Sequence, residues 1–247
     1  MTTGKNFTRL DGLGSVPDAL RGGIVAIGNF DGCHRGHQRV FSAALELARE
    51  KGVPALMLTF EPHPRDVFAP EPFLYRLTLP DEKAVLARAL GFDGLVIMPF
   101  SRELSGVEAE DFVAHYLVRD LAVTGAVVGA DFHFGKARKG TPEFLTVEGQ
   151  RLGFAVRVMD MLEAGETPVS SSRVREALAN GDVETANNLL GYHHFFSGVV
   201  VGGDKRGREL GFPTANFALP GTTKIAQGVY AVKARVGGKV YGGVAAY

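Results

Sequence analysis

The sequence predicts an α/β protein: a parallel β-sheet covered by helices on both faces, followed by a smaller antiparallel β segment. Three observations carry this. Between residue 22 and about residue 160, short apolar runs alternate with stretches of helical periodicity, the pattern of repeated β-α-β units. The connections between them are short, which favours parallel strands with helices packed against the sheet. From residue 194 the texture changes to valine-containing runs separated by glycines, with no helical run between them, the composition of antiparallel strands.

The elements follow in order. Residues 24–30 predict a buried strand. Val40, Phe41, Ala44, Leu45 and Ala48 recur at helical spacing, and Gly52 stops that helix. Residues 55–60 predict the next strand. Ala84, Leu86, Ala87 and Leu90 mark a helix ending at Gly91, followed by a strand over 95–98, a helix over 112–121, and strands over 126–129 and 154–159. Ser170-Ser171-Ser172 supplies cap candidates for a helix through about Asn180, stopped by Gly181, and a short helix over 183–190 follows. Strands are expected over 199–201, 229–236 and 240–244. The change of texture places a domain boundary near residue 188, giving domains 1–187 and 188–247. In open parallel sheets, ligands bind beyond the carboxyl ends of the strands.

Composition narrows the function. The chain has 247 residues, about 1.6 average domains. Its 45% hydrophobic and 22% charged residues exclude wholesale disorder. With 27 basic against 27 acidic side chains, a large basic surface for nucleic acid is excluded, so no nucleic-acid partner is expected. A pocket for an anionic small molecule needs only two or three donors. Glycine is enriched, 32 residues or about 13% against roughly 7% on average, so glycine-dependent turns and backbone-lined sites are expected. A single cysteine, Cys33, excludes an intrachain disulfide and a Cys₄ zinc site. The polar first eleven residues do not read as a secretory signal, and no apolar run approaches the ~18 residues of a membrane span. A cytoplasmic protein without a membrane partner is the expectation.

The most informative segment is Gly28-Asn29-Phe30-Asp31-Gly32-Cys33-His34-Arg35-Gly36-His37. It joins a strand to a helix, where free backbone N–H groups and the positive helix end favour an anion. Two histidines three apart share one side of the first turn, and Gly36 between them lets a phosphate approach the backbone. Such a site holds a polyphosphate and neutralises charge that builds on phosphorus. The plainer alternative is two surface histidines at a helix start. A zinc site of Cys33, His34 and His37 lacks the further ligand it needs.

This stretch resembles the H-x-G-H signature of nucleotidylyltransferases. In its longer form, beginning Gly-Asn-Phe-Asp-Gly, it is similar to the N-terminal half of the prokaryotic FAD synthetase family, whose members are usually bifunctional riboflavin kinase/FMN adenylyltransferases. Four further segments fit the same family in the same order: Thr59-Phe60-Glu61-Pro62-His63-Pro64, Arg76-Leu77-Thr78, Val128-Gly129-Ala130-Asp131-Phe132-His133-Phe134-Gly135 and Ser170-Ser171-Ser172-Arg173-Val174-Arg175. The resemblance implies a Rossmann-like nucleotidylyltransferase domain. It implies His34 and His37 as catalytic residues on the ATP phosphates, and Gly28, Asn29, Phe30, Asp31, Gly36, Asp131, Ser171, Ser172 and Arg175 as ATP-binding residues. Phe60, Pro62 and Pro64 are implied to border the flavin. Family members commonly carry Arg where this chain has His133. Taken singly, Phe132 and Phe134 read as core. Gly135-Lys136 is not a P-loop, because the required upstream glycine and the Ser or Thr after the lysine are absent.

Residues 203–216, Gly-Asp-Lys-Arg-Gly-Arg-Glu-Leu-Gly-Phe-Pro-Thr-Ala-Asn, resemble the start of a riboflavin kinase domain. There the Pro-Thr-Ala-Asn segment holds Mg²⁺ and ATP, so Thr214 and Asn216 are implied as Mg²⁺ ligands, oxygen donors suited to a hard cation. The chain stops after Val244-Ala245-Ala246-Tyr247, before the expected catalytic glutamate, so a partial antiparallel barrel without kinase activity is the expectation. The resulting reading is an FMN adenylyltransferase that makes FAD and pyrophosphate from FMN and ATP with Mg²⁺. Three alternatives stay open: a full bifunctional enzyme that also takes riboflavin, a non-catalytic flavin- or nucleotide-binding remnant, and a transferase for another phosphorylated substrate.

Overall fold

Six strands form one parallel sheet: β1 (Thr8–Asp11), β2 (Ile24–Ile27), β3 (Ala55–Glu61), β4 (Gly94–Pro99), β5 (Gly125–Gly129) and β6 (Ala155–Met159), in the order β1-β4-β3-β2-β5-β6. The computed structural model describes residues 6–164, 167–202 and 214–247. Every neighbouring pair in the sheet is parallel, and Ile24 of β2 aligns with Ala55 of β3 on one side and Gly125 of β5 on the other. The chain leaves β2 toward β3 and β4, then returns across it to β5 and β6. The strand order therefore reverses between β2 and β5, where an open parallel sheet opens its ligand crevice.

Period-two alternation explains why the strands are apolar throughout. Val25, Ile27, Leu56, Leu58, Val96, Met98, Ala126 and Val128 face one core. Ile24, Ala26, Ala55, Met57, Leu95, Ile97 and Val127 face the other. The second core is closed by Val40, Phe41, Ala44, Leu47 and Ala48 of α1 (Arg35–Lys51), which ends on left-handed Gly52 as the sequence predicts. Helix α2 (Pro64–Val67) is a single turn after β3. Helix α3 (Pro80–Leu90) ends at left-handed Gly91. The short α4 (Arg102–Ser105) and α5 (Ala109–Asp111) precede a π-helical run, Phe112–Asp120. The Leu121 N–H closes that run on the Tyr116 carbonyl, five residues back. Phe112, Val113 and Leu117 of this run face the first core, where the sequence predicts an ordinary helix.

The helix α6 (Pro142–Leu152) was not anticipated by the apolar spacing, although its boundaries are well signalled. Thr141 caps it, Pro142 occupies its first turn and Gly153 ends it in the left-handed region. A two-residue ladder, β7 (Glu163–Ala164) with β8 (Thr167–Pro168), lies near the end of this unit. The first predicted strand is shorter than expected. It stops at Ile27 and not at Phe30, because Phe30 has φ +46° and cannot continue an extended chain.

By internal packing the chain divides into Met1–Val169 and Ser170–Tyr247. In the second unit, α7 (Ser171–Ala179) packs on α8 (Val183–Leu190), burying Val174, Ala177, Leu178, Ala186, Leu189 and Leu190. The Ala226 N–H donates to the Leu178 carbonyl. Strands β9 (Val229–Val236) and β10 (Lys239–Ala246) form an antiparallel hairpin. Its two-residue turn, Gly237-Gly238, has both φ values positive, at 55° and 80°, the conformation that matches the twist of the strands and that glycine adopts at least cost. The predicted strand over 199–201 is reduced to one bridge, from Val201 to Asn216, with Val199 and Val200 exposed. Without a ladder among the described residues, a valine run is not assigned as a strand. Residues 203–213 of the kinase-like segment lie outside the described residues.

Candidate functional site

The loop after β2 and the start of α1 build the site. His34 is the N-cap of α1, in an extended conformation, and its Nδ1 accepts the His37 N–H at 3.3 Å. The two imidazoles stack with centroids 3.6 Å apart and planes 16° apart. The sequence expectation that both histidines share one side of the helix start is thus met, with His34 acting as cap. Phe30 packs edge-on to His37 at 5.3 Å and to Phe41 at 4.7 Å. Gly36 lies against the His34 ring: a Cβ there would stand 3.1 Å from His34 Nδ1. Gly28 is equally constrained, because a Cβ would come within 2.8 Å of the Phe30 ring.

His37 Nδ1 is buried and has no hydrogen-bond partner. Buried polar atoms are nearly always paired, so this orphan at a helix start calls for an explanation, and a catalytic role is one. Burial pushes the His37 pKa well below the ordinary imidazole value, and the neighbouring His34 and Lys83 push it in the same direction. His37 is therefore a neutral imidazole at neutral pH. Cys33 is buried, and desolvation raises its thiol to about 12, so it is a protonated thiol at neutral pH.

Asp31 is 2% exposed and points inward. Its carboxylate accepts the N–H groups of Leu77 at 3.0 Å and Thr78 at 3.1 Å. The Gly32 N–H donates to Thr78 Oγ1 at 2.9 Å. The Arg76-Leu77-Thr78 segment thus serves as the floor of the loop. Arg76 grips Glu61 with both terminal nitrogens, at 2.7 and 2.6 Å, and Lys83 reaches the same carboxylate at 2.9 Å. Burial alone would raise the Glu61 pKa, but Arg76 and Lys83 outweigh it and hold the carboxyl below its usual range. Burial lowers the Lys83 pKa, and Glu61 offsets part of that.

The remaining sequence candidates fall in distinct places. Phe60 turns into the first core against Phe100 and Phe112. Pro62 is exposed, His63 caps α2, and Pro64 is its first residue. Phe68 and Phe73 beside them are exposed aromatics, each with an arginine over its ring. At the end of β5, Asp131 is exposed, its carbonyl lies 2.9 Å from His133 Nδ1, and Phe134 is core as its residue type predicts. In the second unit, Ser170 caps α7 by accepting the Arg173 N–H, with Ser171, Ser172 and Arg175 in its first turns. Thr214 and Asn216 are exposed. Among the described residues, no group of three His, Cys, Asp or Glu side chains is placed to hold a metal ion, and no helix is long and apolar enough to cross a membrane.

Sequence reasoning missed Lys83. A lysine within a helical run reads as solvated, yet Lys83 is 0% exposed. A signal existed: Lys83, Ala87 and Leu90 fall at i, i+4 and i+7, the spacing of one buried face.

A parallel sheet with a histidine pair and a glycine at the helix start, at the point where strand order reverses, defines a nucleotidyltransferase-type protein. The protein-family model described as FAD synthetase matches residues 16–173, and the model described as riboflavin kinase matches residues 190–247. A bifunctional riboflavin kinase/FMN adenylyltransferase of Bacillus subtilis is 40% identical over 225 residues, covering 90% of this chain and 70% of that protein. The protein of the same description from Pseudomonas fluorescens is 40% identical over 234 residues, covering 95% and 75%. A crystal structure described as a macrolide-efflux protein from Streptococcus pneumoniae has a TM-score of 0.83 and 30% identity, covering 98% of this chain and 78% of that one. This chain belongs to the FAD synthetase family of nucleotidyltransferases, with a riboflavin kinase segment following.

Proposed function

We propose that this chain transfers the adenylyl group of ATP to FMN, giving FAD and pyrophosphate. The observation that carries the reading is the stacked His34–His37 pair at the start of α1, with His37 Nδ1 buried and unpartnered. In the reaction, a phosphate oxygen of FMN attacks the α-phosphorus of ATP. The new P–O bond forms as the bond to the β-phosphate bridge breaks, and pyrophosphate leaves. No protein nucleophile is needed, so positioning and charge stabilisation supply the rate.

His34 orients the amides at the helix start and stacks on His37, and His37 donates from its neutral ring to the phosphates. Gly36 admits a phosphate oxygen to the backbone. Gly28, Asn29 and Phe30 form the loop around the nucleotide, Asp31 holds that loop from below, and Asp131 stands at the end of β5 toward the ribose or adenine. Ser171, Ser172 and Arg175 are assigned to the triphosphate and the departing pyrophosphate. Pro62 and Pro64 border the flavin, with Phe60 backing them from the core. Mg²⁺ brought in with ATP would supply charge neutralisation at the phosphates. We divide the functions at residues 1–187 and 188–247.

A second reading adds riboflavin phosphorylation. It is favoured by the riboflavin kinase match over residues 190–247, with Thr214 and Asn216 as the neutral oxygen donors for Mg²⁺. One product assay tests both: the purified chain with ATP and Mg²⁺ and either FMN or riboflavin, products separated by chromatography. FAD from FMN is expected; its absence refutes the principal reading, while FMN from riboflavin establishes the second. The His37→Ala variant is expected to lower turnover by ~10²–10³-fold with folding retained, the scale of one lost transition-state donor.

A further inference from the structure

We infer that Lys83, outside the segments that carry the family resemblance, is a positioning residue that closes a buried circuit of charges and holds the His34–His37 loop in its working shape. The inference rests on the adenylyltransferase reading for what that shape does.

Lys83 carries three N–H donors, and its Nζ meets three acceptors: the Asn29 carbonyl at 2.9 Å, Thr59 Oγ1 at 3.1 Å and Glu61 Oε1 at 2.9 Å. The Thr59 hydroxyl itself donates to the Asn29 carbonyl at 2.9 Å, so it accepts from Lys83. Three acceptors require the ammonium form. The circuit then runs on through Glu61 to the Arg76 fork, and from Arg76 Nε to Asp31 Oδ1 at 3.6 Å, an ion pair too long for a hydrogen bond. Asp31 lies two residues from Asn29, so the path returns to the loop where it began. Two cations and two anions give zero net charge, the condition under which buried ions persist.

The geometry gives this circuit a task. It grips the loop at Asn29 and at Asp31, and between them sits Phe30 at φ +46°, a conformation that costs a residue with a Cβ of order 1–3 kcal/mol. The Phe30 ring in turn packs edge-on to His37. Released from Lys83, the Asn29 carbonyl keeps only Thr59, and Phe30 can relax toward an ordinary φ and carry its ring away from His37. The same lysine bridges the loop to Glu61, the residue before Pro62, so one side chain fixes the nucleotide side and the proposed flavin side relative to each other.

The test compares wild type, Lys83→Met and the double variant Lys83→Met/Glu61→Gln. The single variant leaves the circuit with one excess negative charge; the double variant restores neutrality but not the tie. The expected result is a Tm that falls in the single variant and recovers in the double. The kcat for FAD formation per folded molecule stays low by roughly 10–10²-fold in both, the scale of a sub-ångström to ångström misplacement. KM for ATP should change less than about threefold, because the loss is confined to the transition state. Amide exchange of residues 28–34 should quicken in both variants relative to α6. A double variant with recovered Tm and wild-type kcat overturns the inference, as does unchanged exchange in residues 28–34. A wild type that makes no FAD refutes the functional reading instead, and exchange then decides the coupling by itself.

Discussion

Gly36→Ala offers a strong test of the helix-start site, because stability and activity are expected to part. Gly36 lies in the first turn of α1, so alanine gains about 1 kcal/mol of helix propensity. The added Cβ would stand 3.1 Å from His34 Nδ1, 3.2 Å from Cε1 and 3.4 Å from the Val169 carbonyl. Ordinary contact begins near 3.4 Å, so the imidazole must retreat by a few tenths of an ångström. That ring has little room. It is stacked on His37 at 3.6 Å, and its Nδ1 accepts the His37 N–H at 3.3 Å, already at the long end of a hydrogen bond. Losing that cap costs about 1 kcal/mol, which cancels the propensity gain. Net stability should therefore stay within about 1 kcal/mol of wild type. Turnover should fall roughly 10–10²-fold, from the displaced ring and from a methyl where a phosphate approaches. Urea unfolding and a chromatographic FAD assay read the two quantities. A variant stabilised by the full ~1 kcal/mol with wild-type kcat would refute the reasoning, since it would mean that the ring is free to move and that no anion passes Gly36.

Two further outcomes are expected. His37 is held neutral in the fold, below the ordinary value of 6.5, whereas the unfolded chain takes up the proton near that value. The unfolded state binds more protons below about pH 6.5, so stability falls as the pH drops through that point, by up to about 1.4 kcal/mol per pH unit for this one group. The slope of Tm against pH between 7.5 and 5.5 should be shallower in His37→Gln; parallel slopes would contradict the burial account. Arg76→Lys exchanges a fork that meets both Glu61 oxygens for a single point of contact. A loss of about 1.5–3 kcal/mol is expected by urea unfolding, and a loss under about 0.5 kcal/mol would show that the fork contributes little.

Much of the fold was legible because each element advertises its limits. Gly52 and Gly91 end their helices in the left-handed region where the sequence stops them, and β9 spans the predicted residues. The histidine pair was legible for a similar reason: residues three apart at a helix start meet by local geometry alone. The misses have a different origin. The short edge strand β1 takes its place only by pairing with β4, far along the chain, and its four residues alternate in burial too briefly to be read. Val199 and Val200 have strand composition but no ladder among the described residues. The π-helical turn at Phe112–Asp120 shows the same apolar periodicity to the eye as an α-helix.

The sequence alone determined strands β2 to β6, helices α1, α3, α7 and α8, the hairpin β9–β10 and the family, and it offered the candidate residues for a phosphate, because these depend on local spacing and on the chemistry of single side chains. Tertiary structure decided which polar groups turn inward to hold the loop. Asp31 stands among the motif residues yet is turned inward to the backbone of Leu77 and Thr78, and Lys83 stands outside the motifs yet grips the loop. The physical reason is the cost of burying charge. A carboxylate or an ammonium enters the interior only where oppositely charged or hydrogen-bonding partners are in place, and here those partners come from segments 22 to 54 residues apart in the chain.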